Sequence, residues 1–237
     1  MNIYKNKSFG FMIKRKDTFL QEKEILLTFD DGPNQDQAIT ENILDILEKH
    51  NIKACFCVIG KNVVQHPEIV RKTFENGHTI VNHTYSHRFP FFKELSFFED
   101  ELLRTDQLIG DVLKISNYKS KYFRPPFGLV TRKMKTVIDE FDYEILKVTA
   151  FSPFYVDSEY HIENYKKCIA YYMNKLEKDK GGIIVFHDGH SNNLSTKRKG
   201  LRQNNRIWVP NAIENLIKSF KDRGYVFRDL NLTTAST

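Results

Sequence analysis

Short, wholly apolar runs alternate along the chain with stretches whose apolar residues recur every three to four positions. Residues 25–29 (ILLTF) read as a strand, and 38–47 (AITENILDIL) follow with helical spacing. The order then repeats, with a strand at 54–59 (ACFCVI) and a helix over 62–76 that Gly77 stops. A third strand covers 78–81, and 95–113 carries a long amphipathic pattern. A fourth strand at 121–124 precedes a helix over 131–141, and a fifth at 143–148 precedes one over 162–176. The sixth, 182–186 (GIIVF), leads to the stripe Ile213, Leu216, Ile217 and Phe220, and 223–227 supplies a seventh strand. Strands that are apolar on both faces must be covered on both, so the pattern predicts a parallel sheet with its helices outside. Closure into a single-domain α/β barrel of seven strand and helix pairs, TIM-like in plan, is the simplest geometry. An open doubly wound sheet is the alternative, but no glycine-rich phosphate turn follows the first strand.

Composition narrows this picture without changing it. A chain of 237 residues suits one barrel, and 41% hydrophobic with 28% charged residues fits a folded protein rather than a disordered one. No apolar run approaches the ~18 residues of a membrane span. Near the N-terminus the longest uncharged stretch, 8–13, is shorter than a secretory signal needs, so the chain as it stands is expected in the cytoplasm unless an exporting segment was cut away. Cys55 and Cys57 lie two apart, on one face of a strand and too constrained to bridge, and with Cys168 they are expected to be buried thiols. The net charge of +6 favours an anionic partner, and Lys197, Arg198, Lys199, Arg202 and Arg206 form the densest basic cluster. That cluster reads as a solvated loop. Nucleic acid would require a binding module beside it, and none is present.

The chemistry-bearing residues fall just after strands one, three, four and six, where barrel sites are built. Asp30 and Asp31 precede a sharp Gly32-Pro33 turn. His83 and His87, four apart, would share one face if that segment is helical, and two imidazoles with one carboxylate make a half-filled shell suited to a hydrolytic metal. Asp31 is the natural carboxylate, which leaves Asp30 as a base. Arg124, ahead of Pro125-Pro126-Phe127-Gly128, can clamp that base and keep it ionised. His187 has the intrinsic acidity to protonate a leaving amine.

The segments Thr28-Phe29-Asp30-Asp31-Gly32-Pro33, His83-Thr84-x-x-His87, Arg124-Pro125-Pro126-Phe127-Gly128 and Val185-x-His187 stand in the order and spacing of the polysaccharide deacetylases. The chain resembles this family, also called the NodB-homology or carbohydrate esterase family 4 domain. The likeness implies a distorted parallel (β/α)7 barrel over 23–232, flanked by an N-terminal extension (1–22) and a C-terminal tail (233–237). It implies a metal-dependent carbohydrate N-deacetylase that releases acetate from N-acetylglucosamine-type sugars, as chitin-like or peptidoglycan-like oligomers or polymers. Asp31, His83 and His87 would hold a divalent ion, most often Zn2+, with Co2+, Mn2+, Ni2+ and Fe2+ as options. Asp30 would be the base, Arg124 its clamp and His187 the acid. The Phe127 amide would stabilise the oxyanion, and Pro126, Phe127 and Val185 would line the substrate pocket.

One departure stands out. The family commonly carries an aspartate, shortly followed by tryptophan, after strand five, as partner to the acid histidine; here 147–154 read KVTAFSPF, and Asp157 is the nearest substitute. The gap admits a second class of function, a barrel that binds carbohydrate without cleaving it. The basic cluster admits a lipid-linked or nucleotide-linked amino sugar as substrate, and the family's allantoinase-like relatives suggest a non-sugar amide.

Overall fold

The layout grows outward from β2 (Glu24–Gly32), buried along its whole length. In a computed structural model of the protein, which describes residues 9–10, 12–34, 38–89, 94–155, 165–189 and 206–230, β2 pairs in parallel with β8 (Gly181–His187) on one edge. Its other edge is shared by β3 (Cys55–Val58) at the exit end and β9 (Val226–Phe227) at the entry end. Beyond β3 the parallel sheet continues through β4 (Thr79–Asn82), β5 (Tyr122–Phe123) and β7 (Glu144–Ile145). These seven strands form the expected parallel sheet, but among the described residues their ladder is not closed. Its edges are joined by one parallel bridge, Ala150 to Ile184, beside a 2.8 Å bond from the Thr149 amide to the Ile183 carbonyl. The distortion is therefore local to the gap between β7 and β8. A small antiparallel ribbon of β1 (Phe9–Gly10) and β6 (Leu129–Val130) has no counterpart in the hydrophobic pattern.

The helices are α1 (Ile39–Lys49), α2 (Gly60–Gln65), α3 (Pro67–Glu75), α4 (Leu95–Leu113), α5 (Arg132–Glu140), α6 (Tyr165–Asp179) and α7 (Trp208–Asp222). The helix expected over 62–76 is two helices, because Pro67 lacks an amide hydrogen and forces His66 out of helical geometry (φ −136°, ψ 56°). Gly77, at φ +79°, ends α3 as expected. No helix among the described residues is long and apolar enough to cross a membrane.

Alternation along the strands sorts the core into two parts. Ile25, Leu27, Phe29, Phe56, Ile80, Ile184 and Phe186 face the helices, against Ile43, Leu44, Ile213 and Leu216 among others. Leu26, Cys55, Cys57, Val81, Ile183 and Val185 form a second cluster that draws on no α-helix, which marks the barrel interior. The three thiols are buried and unbridged, and Cys55 and Cys57 share the inward face, as their spacing predicts.

Candidate metal centre and active site

The site is the inward face of the strands carried one step past the apolar core. Val81, Tyr122 and Val185 belong to the interior cluster; His83, Arg124 and His187 follow each by two residues and point the same way. On β2 the inward parity passes through Leu26 and Thr28 to Asp30. Strict alternation would turn Asp31 outward, but the register shifts between Asp30 and Gly32, and Asp31 takes a left-handed φ of +71°. This bulge brings consecutive carboxylates to one mouth. It survives because the neighbouring strand end packs against bare backbone: a Cβ on Gly32 would strike the Asp188 carboxyl, and one on Gly189 the Asp31 carbonyl.

Asp31 Oδ1 lies 3.4 Å from His83 Nε2 and 3.3 Å from His87 Nε2, with all three side chains buried. Around one tetrahedral ion with bonds of about 2.0–2.1 Å, donors sit roughly 3.3 Å apart, so the spacing fits. The hydrogen bonds are arranged to suit a cation there. His83 Nδ1 is 2.7 Å from the Arg124 carbonyl, which can only accept, so Nδ1 carries the hydrogen and His83, when neutral, aims a lone pair from Nε2 at the carboxylate. Asp31 Oδ1 is itself buried without a hydrogen-bond donor among the described residues. Burial pushes the Asp31 carboxyl up, but His87, His83 and Arg206 together outweigh it and hold the group well below the usual range. Burial likewise lowers His83, yet Asp31 and Asp30 more than reverse this and raise it. His87, dominated by its own burial, falls to about 4. Two buried lone pairs directed at a carboxylate suit a divalent ion, with the Arg124 carbonyl fixing the ligand tautomer from behind.

Asp30 has the other role open to a carboxylate. The wholly buried Arg124 reaches its Oδ2 at 3.3 Å through one guanidinium nitrogen and Thr28 Oγ1 at 3.1 Å through another. Thr28 in turn donates to the Ile184 carbonyl at 2.9 Å. Asp30 Oδ1 is buried and accepts no hydrogen bond among the described residues, the state of a base with a free lone pair. His187 is its direct register partner on β8. The His187 ring lies against Tyr155 (centroids 4.7 Å apart) and Phe151 (6.1 Å), and its buried Nδ1 has no partner among the described residues.

Sequence and structure differ at several points. His83 and His87 do converge, but through a turn rather than a helix, with Thr84 at φ +64° and His87 at φ +50°. Arg206 is no solvated loop residue: it is buried, 3.7 Å from Asp31 Oδ2. Its former companions Lys197, Arg198, Lys199 and Arg202, and Asp157, lie outside the described residues. Pro126 and Val185 are buried, whereas Phe127 is 40% exposed, held at φ +56° with its ring 4.7 Å from His87 and 5.0 Å from Phe89. The sequence reading missed Thr28, Tyr155 and Phe89. Thr28 alone left a signal, as a polar residue on the inward side of an apolar strand.

A peptidoglycan-N-acetylglucosamine deacetylase, PgdA of Listeria monocytogenes, is 30% identical over 210 residues, which cover 86% of this chain and 37% of that protein. The chain thus spans little more than a third of that relative. The peptidoglycan-N-acetylmuramic acid deacetylase PdaA of Bacillus subtilis is 26% identical over 95% of this chain and 78% of its own length. Among solved structures, the Bc1960 peptidoglycan N-acetylglucosamine deacetylase superposes with a TM-score of 0.67 at 26% identity, covering 89% of this chain and 87% of that one. The family model for polysaccharide deacetylase matches residues 18–146, more than half of the sequence, and the motifs within it carry the geometry just described, so the chain belongs to the polysaccharide deacetylase family.

Proposed function

We propose that the protein is a metal-dependent N-deacetylase of N-acetylated amino sugars in a glycan, with peptidoglycan-type strands as the leading substrate class. One observation carries the reading: the buried Asp31, His83 and His87 cluster stands beside a second carboxylate, Asp30, that is clamped on one oxygen and open on the other. The similarity to deacetylases of N-acetylglucosamine and N-acetylmuramic acid supports the substrate class.

A divalent ion held by Asp31, His83 and His87 supplies Lewis acidity towards an acetamide oxygen and towards water. Asp30, oriented by Arg124 through Oδ2, takes a proton from the attacking water through Oδ1. His187, across the β2–β8 ladder from Asp30, gives a proton to the departing nitrogen, which leaves as an amine rather than an amide anion. Phe127 and the half-exposed Phe89 offer apolar faces beside His87 on which a pyranose ring can pack.

The test is acetate release from N-acetylglucosamine oligomers and from peptidoglycan strands, measured before and after chelation and after zinc is returned. Chelation should abolish release and zinc restore it; no release from any acetylated glycan by the zinc-loaded protein ends the proposal. That His187 Nδ1 has no partner among the described residues favours a second reading, a barrel that binds glycan without cleaving it. Saturable glycan binding without acetate release would select that reading.

A further inference from the structure

The turn that carries both histidine ligands is held in place residue by residue. The Thr84 amide donates to Asn82 Oδ1 at 3.0 Å, and the Thr84 hydroxyl accepts from the His87 amide at 3.1 Å. Arg104 covers the Tyr85 ring at 3.7 Å from its centroid, while the Thr84 and Tyr85 carbonyls accept from the Gly60 and Lys61 amides at 3.0 Å each. Ser86 is gripped hardest: Glu101 Oε2 accepts from its amide at 2.7 Å and Oε1 from its hydroxyl at 2.6 Å. Glu101 is 3% exposed and has no cation in salt-bridge range among the described residues. Burying a carboxylate without a counter-charge is costly, and a surface turn would not require it. This turn does, because its last residue is a ligand in the left-handed region that a β-carbon disfavours, and such backbone persists only where its surroundings over-determine it.

We propose that Glu101, from the inner face of α4, is a positioning residue for the metal centre: by fixing Ser86 it holds the His87 backbone where Nε2 meets Asp31. The inference rests on the metal reading above and assigns Glu101 no contact with substrate.

The experiment compares zinc affinity, by competition with a chromophoric chelator, and metal-free Tm for the wild type, Glu101→Ala, Glu101→Gln and Ser86→Ala. Glu101→Ala should weaken zinc binding by about 10–100-fold. Glu101→Gln should stay within a few-fold of wild type, because its amide oxygen can accept from the Ser86 amide and its NH2 can donate to the hydroxyl. Ser86→Ala, which loses one of the two bonds, should fall between. As a control, Glu24→Gln, at the far end of β2, should lower Tm without moving zinc affinity. Wild-type affinity in Glu101→Ala overturns the proposal, as does an equal loss in Glu101→Gln, which would make charge rather than position the cause. Should Glu101→Ala not fold, Ser86→Ala decides alone, and unchanged zinc affinity there is the overturning result. A wild type that binds no divalent ion removes the metal reading and this inference together, whereas zinc binding that is indifferent to Glu101 removes only the inference.

Discussion

Strand β2 carries a carboxylate–arginine pair at each end, and the two are built differently. At the entry, Glu24 Oε1 receives Arg228, with Nε at 2.7 Å, and Oε2 receives the Gln21 amide at 2.8 Å, so both oxygens are used. At the exit, Asp30 gives one oxygen to Arg124, and its other, buried oxygen has no hydrogen-bond partner among the described residues. Arg228 is partly open to water, with 42% of its side chain exposed, whereas Arg124 is enclosed. The first pair staples the C-terminal segment to the sheet. The second holds the proposed base, and the unsatisfied oxygen distinguishes them.

That contrast can be broken experimentally, and the largest effect belongs to Asp30. Asp30→Asn should cut the turnover number for acetate release by about 10²–10⁴-fold while zinc affinity holds, with some loss of Tm because the buried Arg124 loses its counter-charge. A loss of stability without a loss of turnover would make Asp30 a staple like Glu24. Next, Arg124→Met should destabilise the fold by about 3–5 kcal/mol in denaturant titration, because it strands a buried carboxylate. The matching Arg228→Met should cost about 1 kcal/mol or less, since that pair is solvent-screened. Equal costs would erase the distinction. A smaller, purely binding effect is expected of Phe89→Ala, with KM for oligomers raised about tenfold and turnover unchanged.

The smallest effect sharpens the entry pair through pH. Burial pushes the Glu24 carboxyl up, but Arg228 and the Gln21 amide outweigh it and hold the group below its ordinary range. A lowered carboxyl stabilises the fold above its unfolded pKa, and that stabilisation is lost as pH falls through the folded value. The Tm gap between wild type and Glu24→Gln should therefore be full at neutral pH and close under acid, below about pH 4. A gap that widens in acid would reverse the assignment.

Much of the site was legible because strands impose a period of two. His83, Arg124 and His187 extend interior positions that hydrophobicity already marks, and Asp30 extends Leu26 and Thr28. What alternation cannot reveal is a break in itself. The bulge at Asp31 and the left-handed turn between the histidines depend on partners far away in sequence: Asp188 and Gly189 for one, Asn82 and Glu101 for the other. Pro67 was readable and should have divided the helix over 62–76. Arg206 was not, because nothing local separates a buried arginine from a solvated one, and its place beside Asp31 is set by the start of α7. The β1–β6 ribbon is too short to have a period.

Arg124 serves the base with its side chain and the ligand His83 with its carbonyl oxygen. Every amino acid has that oxygen, so the imidazole's orientation is inherited from the main chain and passes intact through any exchange of side chain at this position. Mutating Arg124 therefore acts on the two tasks differently: on the proposed mechanism, a variant that still folds but is inactive for want of its guanidinium should still bind zinc.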